Sequence, residues 1–281
     1  MSLPAGQKKP RLLQAYTFCV FAFLYLPIVT LVVYSFSRGG VGGFPPAGWT
    51  FGWYSQLFGD AELWNSVLNS LIVAVAAVAI SLTLGLPAAL ALDRAEFPGK
   101  SLFRRLVLLP LILPGIITGI SLLAFFDRSH VNLSLVTVTL GHGTALISVA
   151  ATEIFAGLQK FDRRQEEASL DLGAHPWKTF WRVTFPNLRV SIIAAGLLIF
   201  TLSFDEIAVS FFLMGRENTL PLEIWSRLRR GITPEINAIS TLILLFSFAL
   251  VLVWYRLRTR TEVAEAPATS LLASTLEGTP S

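Results

Sequence analysis

Six stretches of this chain, residues 12–37, 64–92, 106–126, 131–158, 190–215 and 236–255, run for twenty residues or more with scarcely a charged side chain. A helix rises about 1.5 Å per residue, so roughly 20 apolar residues cross the ~30 Å hydrocarbon core of a bilayer. No water reaches backbone groups there, so each N–H and C=O must be bonded within its own segment, which makes helix the natural conformation. The whole sequence agrees: 53% of it is hydrophobic and 14% charged, against about 25% charged in a soluble domain. These runs predict an all-α membrane protein with six transmembrane helices in one domain over residues 1–260. The first run is too long for a signal-peptide core and lacks a small-x-small cleavage site, so it reads as a retained helix. Residues 261–281, rich in Ala, Ser, Thr, Pro and Glu, predict a disordered cytoplasmic tail. Pro27, Pro87, Pro110 and Pro114 fall inside spans, and Gly115 and Gly119 follow the last of them. They predict kinks or close helix contacts, with packing and gating both open as their role.

Orientation follows from where the lysines and arginines sit. With the N-terminus inside, the inner segments hold sixteen of the 22 basic residues, among them Lys8, Lys9, Arg94, Arg104, Arg163, Arg164 and Arg256. The outer segments hold six: Arg38, Arg128, Arg216, Arg227, Arg229 and Arg230. Both termini are therefore expected in the cytoplasm. The isoelectric point near 9.5 reflects membrane topology and gives no reason to expect nucleic acid. Outside, a Gly/Pro-rich loop over 39–48 leads to Trp49, Trp53, Tyr54 and Trp64, residues suited to the membrane interface. A second outer segment, 216–235, predicts a short surface helix over 222–228.

Several chemistries are missing. Gly99-Lys100-Ser101 ends like a phosphate-binding loop, but the glycine required five residues earlier is Arg94, so the backbone cradle for phosphate is absent. His130, His142 and His175 are too scattered for a metal cluster. The lone Cys19 lies in an apolar run and reads as a small hydrophobe. No nucleophile elbow or catalytic carboxylate pair can be found. Catalytic, metal and cofactor sites are all expected to be absent, and ATP would have to bind another polypeptide.

About thirty residues, 159–189, separate the fourth and fifth spans on the inner side, long for a compact bundle and therefore suggestive of function. Asp162 with Gln165 looks like a capping box. A short helix over 163–172 would end at Gly173, suited to the left-handed position after a helix. Pro176 would open a second short helix, both lying flat on the cytoplasmic face. Glu167, Ala168 and Ser169 precede Gly173, and Val183, Phe185 and Pro186 follow it. This spacing resembles the E-A-A, x3, G, x9, I-x-L-P loop of binding-protein-dependent ABC permeases, with Ser, Val and Phe as mild departures. The likeness extends over nearly the whole chain except the tail. Trp64-Asn65-Ser66 with Asn69-Ser70, Leu109-Pro110 with Pro114-Gly115, Ser203 to Ile207 with Val209-Ser210, Leu220-Pro221 and Thr233-Pro234-Glu235 look like the second permease subunit of spermidine/putrescine importers. Branches for aminoethylphosphonate, opines or ferric iron share some of these features.

That resemblance implies a type I ABC importer (MetI-like) permease fold in a bacterial inner membrane. It implies a similar second permease subunit as heterodimer partner, two ATPase subunits docking on the loop that holds Glu167, Ala168, Ser169, Gly173 and Pro186, and an extracytoplasmic solute-binding protein. No ATPase activity of its own is expected, and the cargo would be a small cation such as a polyamine.

Asp205 and Glu206 stand about 15 residues into the fifth run, roughly 22 Å along a continuous helix. A carboxylate at that depth costs at least about 2.5–3.5 kcal/mol, so it needs a cavity or a partner. One reading places at least one of them on the solute path. Another makes them a buried ion pair or cap against the partner permease. Glu153 suits pairing with Lys160 or Arg163, or an interface charge. His142, between Gly141 and Gly143, is either a satisfied packing residue or a proton relay. An ion-coupled secondary transporter would use Asp205 or Glu206 directly, but would favour inverted repeats, which the sequence does not show. An intramembrane enzyme lacks its catalytic constellation.

Overall fold

The computed structural model describes residues 11–39, 48–231, 233–246 and 248. Among these residues regular structure is helical apart from one isolated bridge, Ser37 to Trp49. In chain order the helices are α1 (Arg11–Tyr34), α2 (Gly52–Phe58), α3 (Ala61–Arg94), α4 (Lys100–Ile112), α5 (Gly115–Arg128), α6 (Leu135–Ala145) and α7 (Ile147–Lys160). They continue with α8 (Arg164–Asp171), α9 (Pro176–Thr179), α10 (Phe185–Phe204), α11 (Ala208–Leu213), α12 (Leu220–Arg230) and α13 (Pro234–Phe246). The chain divides into two compact units, Asp60–Ser226 and the residues on either side of it.

In the flanking unit, α1 leaves bulky side chains such as Phe18, Phe23 and Leu24 exposed, as a lipid-facing helix does. Its end is tied to the start of α2: Tyr54 Oη lies 2.7 Å from Ser35 Oγ, and Trp53 Nε1 donates to the Ser37 carbonyl at 2.9 Å. Trp49 is exposed, while Trp53 and Tyr54 are half-buried. Arg227 pairs with Glu235 at 2.5 Å.

The central unit is built around α3, which packs along α6, α7 and α10. Asp60 starts the helix by accepting the Leu63 N–H at 3.0 Å, and Glu62 in the first turn favours the same end. Its buried face is a stripe of small residues, Ser66, Ser70, Ala74, Ala77, Ser81, Gly85 and Ala89. Apolar association gains little in lipid, so small side chains that let helices approach supply the dispersion contacts instead. A β-carbon at Gly85 would collide with Ala150 of α7. Ser81 Oγ donates to the Gly143 carbonyl of α6 at 2.8 Å.

Four helical segments are long and apolar enough to cross a membrane: Leu12–Tyr34, Ala61–Arg94, Leu135–Lys160 and Pro176–Phe204. The expected third span, 106–126, is not straight. It is the pair α4 and α5, bent by 107°. Pro114 lacks an N–H and holds the preceding Leu113 extended, at ψ 131°, which ends α4. A fifth crossing exists if that pair counts as one span. The sixth expected span, 236–255, lies partly outside the described residues, which include its first part as α13. The tail expected over 261–281 lies outside them altogether.

The fifth run also departs from expectation. The helical stretch begins at Pro176, far upstream of residue 190, and ends at Phe204, after which Asp205 to Ile207 break the helix before α11. Asp205 and Glu206 are therefore not inside a continuous helix.

Candidate functional site

The segment 159–189 folds into an elbow. At the end of α8, Gly173 has φ +83°, a conformation that costs an ordinary side chain about 1–2 kcal/mol. The Gly173 N–H reaches the Leu170 carbonyl at 2.8 Å and the Ala174 N–H the Ser169 carbonyl at 3.1 Å, which closes the helix with a Schellman motif. His175 Nδ1 accepts the Trp177 N–H at 3.2 Å, and Pro176 opens α9. The capping box is looser than expected. The Asp162 side chain accepts the Arg164 N–H at 3.0 Å, while Gln165 Oε1 accepts from Asn187 Nδ2 at 3.3 Å.

The second arm of the elbow is not a separate flat helix. It runs through a π-helical turn, Phe180–Thr184, straight into α10. Pro186 explains the turn. Its ring would clash with the carbonyl four residues earlier in a regular helix, and the wider π turn admits it. Ser169 Oγ lies 3.0 Å from Thr179 Oγ1 and ties the two arms together. Ser169, Gly173 and Pro186 thus shape the elbow. Glu167 and Ala168 point outward, exposed, beside Leu172 (89% exposed), Trp177 (66%) and Trp181 (47%).

Inward attachment falls to residues that spacing did not single out. The Asp93 carboxylate at the end of α3, 2% exposed, pairs with Arg163 at 2.6 Å and accepts from Gln159 at 2.7 Å. Next to it, Arg94 pairs with Glu166 at 2.7 Å, and Thr184 Oγ1 donates to the same Glu166 oxygen. The first arm is therefore fastened to α3 by ion pairs and by the Arg163–Asp93 charge-assisted bond, and the second arm is tied to the first through Glu166.

The second cluster surrounds the break after α10. Asp205 is exposed; its N–H reaches the Thr201 carbonyl at 3.2 Å, and its carboxylate makes no hydrogen bond or ion pair among the described residues. Glu206 is half-buried. Its Oε1 accepts the Val209 N–H at 2.9 Å in the first turn of α11, and a β-carbon at Gly115 would lie 3.3 Å from it. The carboxylate thus faces the N-termini of both α5 and α11, where orphan N–H groups favour negative charge. Behind the break lies His142, buried, with Nδ1 2.8 Å from Ser203 Oγ and Nε2 3.0 Å from Ser210 Oγ. Both ring nitrogens are satisfied, as a packing histidine requires. Glycines make room for it. A β-carbon at Gly141 would collide with Leu213 of α11, and one at Gly143 would lie 2.8 Å from Ile80 of α3. Lys100 pairs with Glu96 at 2.8 Å. Among the described residues no group of His, Cys, Asp and Glu is placed to hold a metal.

A protein family described as binding-protein-dependent transport system inner membrane component matches residues 81–262. The putrescine transport system permease protein PotI of Escherichia coli (strain K12) is 38% identical over 232 residues, covering 80% of this chain and 82% of the relative. The spermidine/putrescine transport system permease protein PotC of Haemophilus influenzae is 34% identical over 238 residues, covering 84% and 92%. Among solved structures, a bacterial ABC transporter involved in import of the acidic polysaccharide alginate aligns with TM-score 0.67 at 17% identity, covering 92% of this chain and 99% of that one. An amino acid ABC transporter aligns with TM-score 0.56 at 18% identity, covering 74% and 99%. At such identities these two show the fold alone.

Proposed function

We infer that this chain, which belongs to the family of binding-protein-dependent transport system inner membrane components, is a permease subunit of an ATP-driven importer for polyamines. The observation that carries this reading is the likeness, across four fifths of the chain, to permeases named for putrescine and spermidine. The chain works with a second, similar permease subunit, two ATPase subunits and an extracytoplasmic binding protein. Residues 1–260 make up the permease domain, with both termini in the cytoplasm. The elbow around Glu167, Ala168, Ser169, Gly173 and Pro186 receives the ATPase. What supports this role is its exposed apolar face of Leu172, Trp177 and Trp181, a patch that a soluble partner would cover. ATP-driven closure of the ATPase pair shifts the elbow as a rigid body and switches the solute path between two packed states.

Asp205 lines that path and offers its carboxylate to an ammonium group. What supports this is an exposed carboxylate without a partner in an apolar bundle, where insertion is costly unless the group meets water or a cation. Glu206, held by the Val209 N–H, contributes negative potential from behind.

The test is uptake of labelled putrescine into proteoliposomes that contain the complete importer. Uptake that needs both ATP and the binding protein is expected, and uptake driven by a proton or sodium gradient alone would overturn the reading. Asp205→Asn is expected to cut putrescine uptake by about tenfold, the equivalent of one charge-assisted contact, with the complex still assembled. Unchanged uptake would remove Asp205 from the path.

A further inference from the structure

We propose that His142, with Ser203 and Ser210, is a positioning site that holds the helix break at Asp205–Ile207 in one shape and so sets where the two carboxylates stand. The proposal rests on the reading of Asp205 and Glu206 as groups on the solute path.

His142 Nδ1 lies 2.8 Å from Ser203 Oγ and Nε2 3.0 Å from Ser210 Oγ, and Ser210 Oγ lies 3.1 Å from the Glu206 carbonyl, so one hydrogen-bonded chain links Ser203, His142, Ser210 and the Glu206 carbonyl.

No helix-breaking residue marks the break. Residues 203–210 contain neither proline nor glycine, the usual causes of an interrupted helix. His142 bonds one hydroxyl on each side of the break, Ser203 near the end of α10 and Ser210 in α11, and this grip joins the two helices across it. The ring is itself fixed, because α6 meets α11 at Gly141 and α3 at Gly143 with no space for a β-carbon at either. The grip also secures a freed carbonyl, that of Glu206, whose carboxylate caps α11. Loss of the grip frees residues 203–210 to re-form helix or drift, and either outcome moves Asp205.

Cys19 is the single cysteine, so Cys19→Ser gives a clean background for Asp205→Cys, a reporter at the break that needs no knowledge of the cargo. The complete importer in membranes is labelled with a cationic methanethiosulfonate reagent. His142→Leu and Ser210→Ala are expected to change the labelling rate by at least about fivefold, while Ser210→Thr, which keeps the hydroxyl, restores it. Should His142→Leu fail to assemble, Ser210→Ala decides. Rates within about twofold of the parent in an assembled Ser210→Ala complex would overturn the proposal. With Asp205 restored, Ser210→Ala is expected to raise the KM for putrescine uptake about tenfold at a retained maximal rate. A lowered maximal rate at unchanged KM would mean a merely structural role and would also overturn it. A parent importer that carries no putrescine would sink the polyamine reading, while the labelling result would still decide the clamp.

Discussion

At the scale of single residues, the elbow is held by a carboxylate that looks unremarkable in the sequence. Asp93 ends the second span, its side chain is 2% exposed, and it satisfies Arg163 and Gln159 at once. Arg163 is half exposed, so water screens part of the attraction. Asp93→Asn is therefore expected to destabilise by only about 1–2 kcal/mol, a drop of a few degrees in the melting temperature of the detergent-purified subunit. The larger effect is expected in the complete importer, where solute moved per ATP hydrolysed falls because the elbow is no longer fastened to α3. An unchanged ratio would show the Asp93 contact to be idle. Spacing pointed to Glu167, which faces outward, and the inward partner of Arg94 is its neighbour Glu166. A helix turns about 100° per residue, so a motif aligned to within one position cannot tell which of two adjacent glutamates faces the bundle. Asp93 and Arg163 are seventy positions apart, and only the packing of α3 against the elbow brings them together.

At the scale of elements, long apolar runs were legible because hydropathy records length, and length sets whether a helix can cross lipid. Direction is not recorded in hydropathy. Residues 106–126 read as one span, yet they lie on two helices bent by 107°. Pro114 marked the place but not the angle, which depends on what α5 packs against. That partner is α11, in a contact lined by glycine. A β-carbon at Gly119 would lie 2.8 Å from Phe212 Cδ2 and 3.2 Å from the Ala208 carbonyl. Gly119→Val is thus expected to destabilise by about 1–3 kcal/mol through overpacking. Gly196 offers a control inside α10, because a β-carbon there would meet Leu82 and Val78 at 3.5 and 3.6 Å, ordinary contact. Gly196→Ala should be neutral or stabilise by up to about 1 kcal/mol through helix propensity. Thermal inactivation of the two variants side by side checks both signs. The break at Asp205 was illegible for a different reason: neither proline nor glycine marks it, and the His142 that bridges it stands 61 residues before Ser203.

At the scale of the whole molecule, the elbow and the acidic break are the two ends of one helical stretch. Pro176–Phe204 spans 29 residues, about 43 Å at helical rise, with its π-helical turn near the elbow end. A helical rod tied to the first arm of the elbow at one end and ending at Asp205 at the other would, on the proposed reading, carry a displacement from motor to cargo without any loop to absorb it. This arrangement requires the elbow to face the cytoplasm, an orientation that rests on the unequal distribution of basic residues. Leu172, 89% exposed at the tip of the elbow, supplies the test. In a Cys19→Ser background expressed without the ATPase, Leu172→Cys should resist a membrane-impermeant thiol reagent applied to intact cells. It should react once the membrane is opened, and added ATPase should then shield it. Arg216→Cys, on the segment assigned to the outside, should react in intact cells. Labelling of Leu172→Cys from outside would invert the topology and leave the rod with no motor at its end. Reaction only after opening, without shielding by the ATPase, would keep the topology and move the docking face elsewhere on the elbow.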